Sequence, residues 1–245
     1  HRRSKATLLE HEVVDLRDET NLRVADLRSE FAELGRALRA LSAWFANSVG
    51  MMHPEDNQID LNAIVQDAEF ARDWQQQLNE LFPARTPGSP IGDRFDGSAI
   101  EGIFIYDRLQ EQNVLVRATQ PAREELPLVS PSPLAEQLVN HTLATSPREA
   151  HPIAESTEFV LEQYEGRTIC RMYLARRLYL RKQDQPLDLM NARGVILAQV
   201  NITHYLNELS RRAPRHNYFL IDPLGTYLFH PLHQRVGTNV NYPAV

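Results

Sequence analysis

The sequence lacks several features that define common enzymes and membrane-spanning chains. Cys170 is the single cysteine, so no disulfide bond can form within the chain. No run of about 18 apolar residues occurs, so no segment reads as a membrane-spanning helix. The net charge of −6 argues against broad nucleic-acid binding, which needs a basic surface. Glycine-rich phosphate loops and Gly-x-Ser-x-Gly elbows are also absent, which excludes two large classes of enzyme.

Histidine is the residue type that invites a metal-site hypothesis. The chain has nine histidines, and His230 and His233 stand three positions apart. Pro231 follows His230 where a predicted strand ends, so no helix can bring both imidazoles to one face. No cysteine or carboxylate cluster accompanies the pair, as a zinc site would require. We therefore expect no metal and no cofactor, and we predict that His230 forms a local hydrogen bond.

A long stretch near the start has no proline. Between Lys5 and Asn47 the one glycine is Gly35, and apolar residues recur at steps of three and four. These residues are Leu27, Phe31, Leu34, Leu38, Leu41 and Phe45. The pattern predicts a helix of roughly 60 Å, which is too long for a small globule to cover. We expect its C-terminal half to pack on a sheet and its N-terminal half to project or to pair with a second copy.

The pattern of apolar residues in the rest of the chain predicts further helices and strands. A second helix is predicted over 61–82, a third over 133–145 and a short one over 203–212. Alternating apolar residues predict a hairpin over 99–121, a second hairpin over 158–181 that turns near Glu165 and Gly166, and a strand over 194–202. This order predicts an α+β fold, a five-stranded antiparallel sheet with helices on its faces.

The stretch NYFLIDPLGTYLFHP, residues 217–231, predicts a fresh hairpin close to the end of the chain. Asp222 to Gly225 has proline second and glycine fourth, as a type I turn prefers. Asp107 occupies the equivalent place in the hairpin at 99–121, and we predict that both aspartates bond back to the backbone of a tight turn. The chain therefore reads as one full unit followed by the truncated start of a second.

Three segments carry a resemblance to a known family. IEGIFIYD, RGVILAQVNITHYLNEL and NYFLIDPLGTYLFHPLHQRVGTN resemble the extracytoplasmic double Cache (PAS-like) sensor domains of bacterial transmembrane receptors. The resemblance implies a dimerising, membrane-connecting helix over 1–50, a membrane-distal ligand-sensing domain over 51–210, and the truncated start of a membrane-proximal PAS-like domain over 213–245. It also implies a small-molecule ligand, a homodimer formed through the first helix, and a periplasmic location.

The same resemblance implies that the chain is a piece of a larger receptor of the bacterial inner membrane. Flanking transmembrane helices would anchor that parent protein, and a cytoplasmic domain would carry the output. We expect a two-component histidine kinase as the output, with a diguanylate cyclase or a chemoreceptor as alternatives. The fragment itself is expected to have no catalytic activity. A structural dimerisation module and a hydrolase remain as alternative functions.

One predicted strand presents a polar face suited to a ligand. Alternation over residues 168–180 puts Arg171, Tyr173 and Arg177 on one face, while Cys170, Met172 and Leu174 lie on the other. Guanidinium groups bind carboxylates in a bidentate manner, so this face suits an anionic ligand. Arg117, on the second strand of the first hairpin, is expected to join it. The alternative is a solvated strand face with salt bridges.

Asn201 and Tyr164 complete the predicted site. In the amino-acid-binding branch of the family an Asp on a late strand holds the ligand's amine, and the resemblance makes Asn201 its counterpart. An amide supplies no full charge to an ammonium group, so carboxylates and other small molecules are the expected ligands. Tyr164, with His151 and Glu155, falls in the region that covers the pocket in this family.

Overall fold

The protein is described from a computed structural model that covers residues 2–52, 60–85, 95–109, 112–121, 131–144, 155–180, 192–212 and 218–240. Helices are α1 (Arg2–Met52), α2 (Leu61–Gln66), α3 (Ala68–Leu81), α4 (Pro133–Ala144) and α5 (Ile202–Arg212). Strands are β1 (Ile100–Leu109), β2 (Gln112–Thr119), β3 (Glu155–Tyr164), β4 (Arg167–Leu178), β5 (Gly194–Asn201), β6 (Leu220–Ile221) and β7 (Tyr227–Phe229).

Strands β1 to β5 form one antiparallel sheet in the order β2-β1-β5-β4-β3. The central strand β5 is buried along nearly its whole length, as expected for a strand with neighbours on both sides and helices on both faces. The predicted fold class, a long N-terminal helix followed by a five-stranded antiparallel sheet, is confirmed. The predicted turn between β3 and β4 is also confirmed, with Glu165 and Gly166 both at positive φ.

The first face of the sheet packs on the long helix. A single apolar core joins α1, α2, α3 and α5 to this face. From the sheet it contains Ile103, Ile105, Cys170, Met172, Leu174, Leu178, Ile196, Ala198 and Val200. From α1 it contains Leu34, Leu38, Leu41 and Phe45, four of the six residues of the predicted stripe, with Leu27 and Phe31 packed against its edge.

The second face of the sheet has a smaller core of its own. Helix α4 crosses β3, β4 and β5, and its Leu138 and Val139 pack against Phe104, Tyr173 and Leu197 of the sheet. The alternation predicted for β4 is therefore confirmed: Cys170, Met172 and Leu174 face α1, and Tyr173 and Ala175 face α4.

The helix predicted over 61–82 is two helices, so that prediction is wrong at its centre. Asp67 has extended backbone with ψ of 133°. Its carboxylate accepts hydrogen bonds from the backbone N–H groups of Glu69 and Phe70, both at 2.9 Å. Such N-capping satisfies amides that lack a partner at a helix start, so Asp67 begins α3 just where α2 ends.

The late hairpin forms as predicted at its turn. Asp222 accepts hydrogen bonds from the backbone N–H groups of Leu224 and Thr226, both at 2.8 Å. The N–H of Gly225 donates to the carbonyl of Asp222 at 3.0 Å, which closes the predicted turn. Leu228 and Phe229 of β7 are buried in the core that contains α1 and the first face. The division into domains over 51–210 and 213–245 remains a prediction.

Asp107 does not repeat the role of Asp222, so the predicted equivalence is wrong. Asp107 lies within β1 rather than in a turn, and it is buried. Its two carboxylate oxygens pair with the guanidinium of Arg193 at 2.7 and 3.0 Å. The bidentate ion pair stabilises the junction of β1 with the segment before β5.

Candidate ligand site on the second sheet face

Strand register brings four of the predicted site residues together beside α4. Arg171 of β4 lies opposite Asn201 of β5, and Tyr173 lies opposite Gln199. Directly opposite residues of antiparallel strands share a face, so Gln199, which was not predicted, emerges on the same side of the sheet as Arg171, Tyr173 and Asn201. The ring of Tyr164 lies 5.1 Å from the guanidinium carbon of Arg171, within cation–π range.

Glu101 joins these residues through an irregularity in β1. The pairing between β1 and β5 shifts register between Ile100 and Gly102, which leaves Glu101 as the extra residue. Such a bulge redirects a side chain that regular alternation would place on the other face. Ile103 and Ile105 face α1, yet the carboxylate of Glu101 reaches Arg171 on the opposite side of the sheet.

Arg171 lies between two carboxylates. Its Nε is 2.6 Å from Glu101 Oε2, and its Nη1 contacts Glu162 Oε2. The side chain of Arg171 is 5% exposed, against 14% for Glu101 and 11% for Glu162. Burial acts to lower the pKa of Arg171, but the hydrogen bonds to Glu101 and Glu162 raise it above the ordinary value. The guanidinium is therefore a fixed cation at the centre of the cluster.

Neutral donors stabilise the two carboxylates. Tyr173 Oη lies 2.8 Å from Glu162 Oε1 and 3.2 Å from Ser132 Oγ. Burial acts to raise the pKa of Glu162, but hydrogen bonds from Arg171, Ser132 and Tyr173 together hold it below its usual value. Burial raises the pKa of Tyr173 to about 12, and the neighbouring Glu162 adds to that shift, so its hydroxyl stays a donor.

Two amide side chains complete the cluster around Glu101. Asn201 Nδ2 donates to Glu101 Oε1 at 2.8 Å, and Gln199 Nε2 donates to Glu101 Oε2 at 3.0 Å. Asn201 Oδ1 accepts from the backbone N–H of His204 at 2.8 Å, so Asn201 also caps the start of α5. Gln199 Oε1 is buried and has no hydrogen-bond partner within the described part of the chain.

Arg177 shares the face of Arg171 but lies at the other end of β4. Its Nε donates to the carbonyl of Thr142 at 2.7 Å, and the residue is buried beneath α4. A carbonyl in the last turn of a helix lacks an intrahelical partner, so Arg177 stabilises the C-terminal end of α4. The structure thus places Arg177 under α4 and away from the contacts of Arg171.

Arg117 lies on the opposite face, so the expectation that it joins Arg171 is wrong. It stands opposite Ile105, which belongs to the core beneath α1. Its Nη1 donates to the backbone carbonyl of Val65 at the end of α2, and its Nε donates to Thr119 Oγ1 at 3.0 Å. The register of β2 against β1 shifts between Ile105 and Tyr106, which a strand pattern in sequence does not reveal.

Four residues of the cluster, Glu101, Glu162, Gln199 and Ser132, were not predicted from the sequence. Glu162 alternates with Val160 on β3, so the same period-two argument that found Arg171 could have found it. Gln199 alternates with Asn201 in the same way. Glu101 was hidden by the bulge, although the adjacent Gly102 is a signal, because glycine inside a strand often marks one. His151 lies outside the described residues, and so does the side chain of Glu155.

A cleft of about 290 Å³ lies elsewhere, between α1 and the C-terminal end of α3. Leu34 and Ala37 of α1, Leu81 and Phe82 at the end of α3, and Phe95 line it. The cleft shares no residue with the cluster around Arg171, whose three charged side chains are at most 14% exposed and bonded to one another. Any ligand at the cluster must therefore displace or open contacts that the residues now make with one another.

The described residues offer no alternative site of the metal or membrane type. No group of three or more histidine, cysteine, aspartate or glutamate side chains among them is arranged to hold a metal ion. His230 is buried against Phe219 and Tyr227, and its Nδ1 accepts from the N–H of Leu232 at 2.9 Å, which confirms the predicted local bond. None of the described helices is both long and apolar enough to span a bilayer.

The similar proteins that were found are solved structures with low sequence identity to this chain. No protein-family model and no curated protein matches the chain. Two similar solved structures are the ligand-binding domain of the Pseudomonas fluorescens chemoreceptor CtaA, with L-serine and with L-valine. Each is 14% identical with a TM-score of 0.42, and the match covers 93% of this chain and 77% or 80% of the solved chain.

A third similar structure is the ligand-binding domain of the Pseudomonas aeruginosa PAO1 amino acid chemoreceptor PctC with GABA. It is 14% identical with a TM-score of 0.40, and the match covers 93% of this chain and 82% of that one. Likeness at this level of identity and TM-score does not transfer a ligand or an activity to the present chain.

Proposed function

We propose that the chain is a ligand-sensing domain of the double Cache type, taken from the extracytoplasmic part of a membrane-bound signalling receptor. The observation that carries this proposal is the buried polar cluster around Arg171 on the second face of the sheet. Apolar packing alone does not require such a cluster, because two carboxylates and a guanidinium lose hydration when buried. Buried charged groups on one face of a sheet are accordingly candidates for ligand recognition.

The position of the cluster supports a sensing role. Strands β4 and β5 carry Arg171, Gln199 and Asn201 on one face, and the other face of the same strands packs on α1 and α5. Asn201 also caps α5, the helix that leads to the late hairpin. A ligand that binds one arrangement of these strands more tightly than another shifts the balance of helix arrangements by its differential affinity.

A thermal-shift screen of the 245-residue chain tests the proposal. The panel holds small amines, carboxylates, amino acids, purines and sugars. A ligand at 100 times its Kd adds about 2.7 kcal/mol to the free energy of unfolding, which gives a clear rise in Tm. Asn201→Ala, which removes one donor to Glu101, is expected to reduce the effect. Asn79→Ala on α3 is the control, because Asn79 bonds to Gln75 far from the cluster.

A structural dimerisation module is the second candidate function. The hydrogen bonds within the cluster favour it, because Arg171, Glu101 and Glu162 bond to one another and to Tyr173 without a ligand. This candidate predicts that no member of the panel changes the Tm. It also predicts that self-association through α1 occurs whether or not small molecules are present.

The output of the parent receptor is proposed to be a histidine kinase, with a diguanylate cyclase or a chemoreceptor as the alternatives. The proposal also includes a periplasmic location and a homodimer formed through α1. Chimeras test it: the chain with its flanking segments is fused to a kinase, a cyclase or a chemoreceptor output domain. A ligand-dependent change in the output of one chimera identifies the compatible signalling geometry.

A further inference from the structure

The charge of the cluster does not balance. Glu101 and Glu162 supply two formal negative charges, and Arg171 supplies one positive charge within hydrogen-bond range of both. Asn201, Gln199, Tyr173 and Ser132 add neutral groups, so the cluster keeps a formal surplus of one negative charge among the residues that the structure describes. Burial strengthens electrostatic interactions, so this surplus repels an anion and attracts a cation more strongly than it would on the surface.

A carboxylate ligand does not fit this arrangement. Arg171 already donates to Glu101 through Nε and Nη2 and to Glu162 through Nη1. An incoming carboxylate would be the third one around a single guanidinium. Like charges at a shared site disfavour one another strongly, so the carboxylate expectation from the sequence holds only if Glu101 or Glu162 moves away or takes up a proton.

Gln199 gives a second, independent indication of the chemical group that the ligand carries. Its Nε2 donates to the Glu101 carboxylate, and a carboxylate only accepts, so the amide orientation is fixed. Gln199 Oε1 is consequently a buried acceptor that lacks a partner among the described residues. An unsatisfied buried polar group is costly, so the group that completes this position is a hydrogen-bond donor.

From these observations we propose that the site binds a protonated amine, a class of ligand that the amide of Asn201 alone did not predict. Gln199 Oε1 accepts an N–H of the ammonium group, and the surplus carboxylate charge shared by Glu101 and Glu162 balances the cation. The inference rests on the proposed sensing function of the same cluster. It differs from that function in stating which charge the ligand must carry.

Matched pairs of probes test the charge requirement directly. n-Butylamine is compared with butyrate, and L-alanine methyl ester with N-acetyl-L-alanine, by isothermal titration calorimetry on the full chain. Within each pair one member carries the amine and the other the carboxylate on a similar carbon skeleton. We expect the amine members to bind and the carboxylate members to bind at least tenfold more weakly, which corresponds to about 1.4 kcal/mol.

Two variants assign the binding to named groups. Glu101→Gln removes the surplus charge and leaves Arg171 paired with Glu162, and Gln199→Met removes the free acceptor at similar volume. Each is expected to weaken amine binding by at least about tenfold. Glu69→Gln, an exposed carboxylate on α3, is the matched control and should leave binding unchanged. If Glu101→Gln does not fold, Gln199→Met carries the assignment alone.

The outcomes separate this inference from the proposed function. Carboxylate or neutral ligands that bind more tightly than amines overturn the amine inference and leave the sensing function intact. Amines that bind equally well to Glu101→Gln and Gln199→Met overturn the assignment to this site. If these probes and the wider panel all fail to bind, the amine inference and the sensing function fail together.

Discussion

At the scale of single residues, Arg171 determines whether the sheet can bury its acidic side chains. Glu101 comes from β1 and Glu162 from β3, which are not neighbours in the sheet, and the guanidinium of β4 bonds to both. Charges of this kind lose hydration energy on burial, and their mutual attraction offsets that loss only while both signs are present. Removal of the shared cation is therefore more damaging than removal of either carboxylate.

Arg171→Met is expected to lower the free energy of unfolding by about 3–5 kcal/mol, because it leaves two buried carboxylates without their cation. Urea unfolding followed by circular dichroism measures the loss. Arg72→Met is the control, since the Arg72 side chain is 73% exposed and forms long ion pairs on the surface of α3. A loss no larger than that of the control would show that the cluster is hydrated in solution.

The pH dependence of stability is expected to report on Glu162. Its pKa in the folded protein lies below the ordinary value of 4.5, so the unfolded state binds its proton more readily. Glu162 therefore contributes stability that is fully present above the unfolded pKa and is lost as the pH falls through the folded pKa. Urea midpoints measured from about pH 6 down to pH 3 should fall for the native chain. The urea midpoint of Glu162→Gln should be lower at about pH 6 and should fall less toward about pH 3. Parallel curves for the variant and the native chain would contradict the assignment of the pH dependence to Glu162.

The residues of the cluster also show how far alternation in sequence can be used. It correctly placed Arg171 and Tyr173 on one face of β4, because β4 pairs on both sides without interruption. It cannot place Glu101 or Arg117, because Glu101 lies at a register shift between β1 and β5, and Arg117 lies beside one between β1 and β2. A bulge is set by backbone pairing with a distant strand, which the local pattern of apolar residues does not encode.

At the scale of elements, the helices decide what each polar strand residue does. Helix α4 covers the part of the second face that carries Arg177, and Arg177 stabilises the end of α4 by donating to the carbonyl of Thr142. On the first face, Arg117 likewise donates to a backbone carbonyl near the end of a helix, that of Val65 in α2. The positions of these helices depend on tertiary packing, so the sequence predicted two ligand-binding arginines where the structure has two helix contacts.

Arg177→Met is expected to lower stability by about 1–3 kcal/mol, because the carbonyl of Thr142 is left without its buried donor. Ligand binding at the cluster is expected to be unchanged. Differential scanning fluorimetry, with and without the amine identified by calorimetry, measures both quantities for the same variant. An affinity loss equal to that of Gln199→Met would show that Arg177 takes part in ligand binding after all.

At the scale of the whole molecule, α1 is the longest of the described helices. Its 51 residues at 1.5 Å each span about 76 Å. Glu30 is the first fully buried residue among its described side chains, and Arg85 and Tyr205 contact its carboxylate. Leu22 and Val24, further toward the N-terminus, are 59% and 39% exposed. The helix thus enters the globule near Leu27 and presents apolar side chains before that point.

Two truncations separate the projecting part of α1 from the packed part. A chain that starts at Val24 keeps Leu27, Glu30 and every core contact made by the described side chains of the helix, so its Tm should match that of the full chain. If the projecting half forms the proposed homodimer, sedimentation velocity should show a dimer for the full chain and a monomer for the shortened one. Two results would contradict the pairing role: a shortened chain that stays dimeric, or a full chain that is monomeric at every concentration tested.

The matched truncation starts at Leu38 and removes Glu30 and Leu34 together. It should unfold or lose several kcal/mol, because Arg85 is left buried without the carboxylate of Glu30 and the core loses Leu34. The comparison of the two truncated chains tests where along α1 the part that is proposed to form the dimer ends and the part that packs in the core begins. A cooperative transition at the same Tm for both would show that the first face is stable without the buried ion pair, and that α1 joins the core only from Leu38 onward.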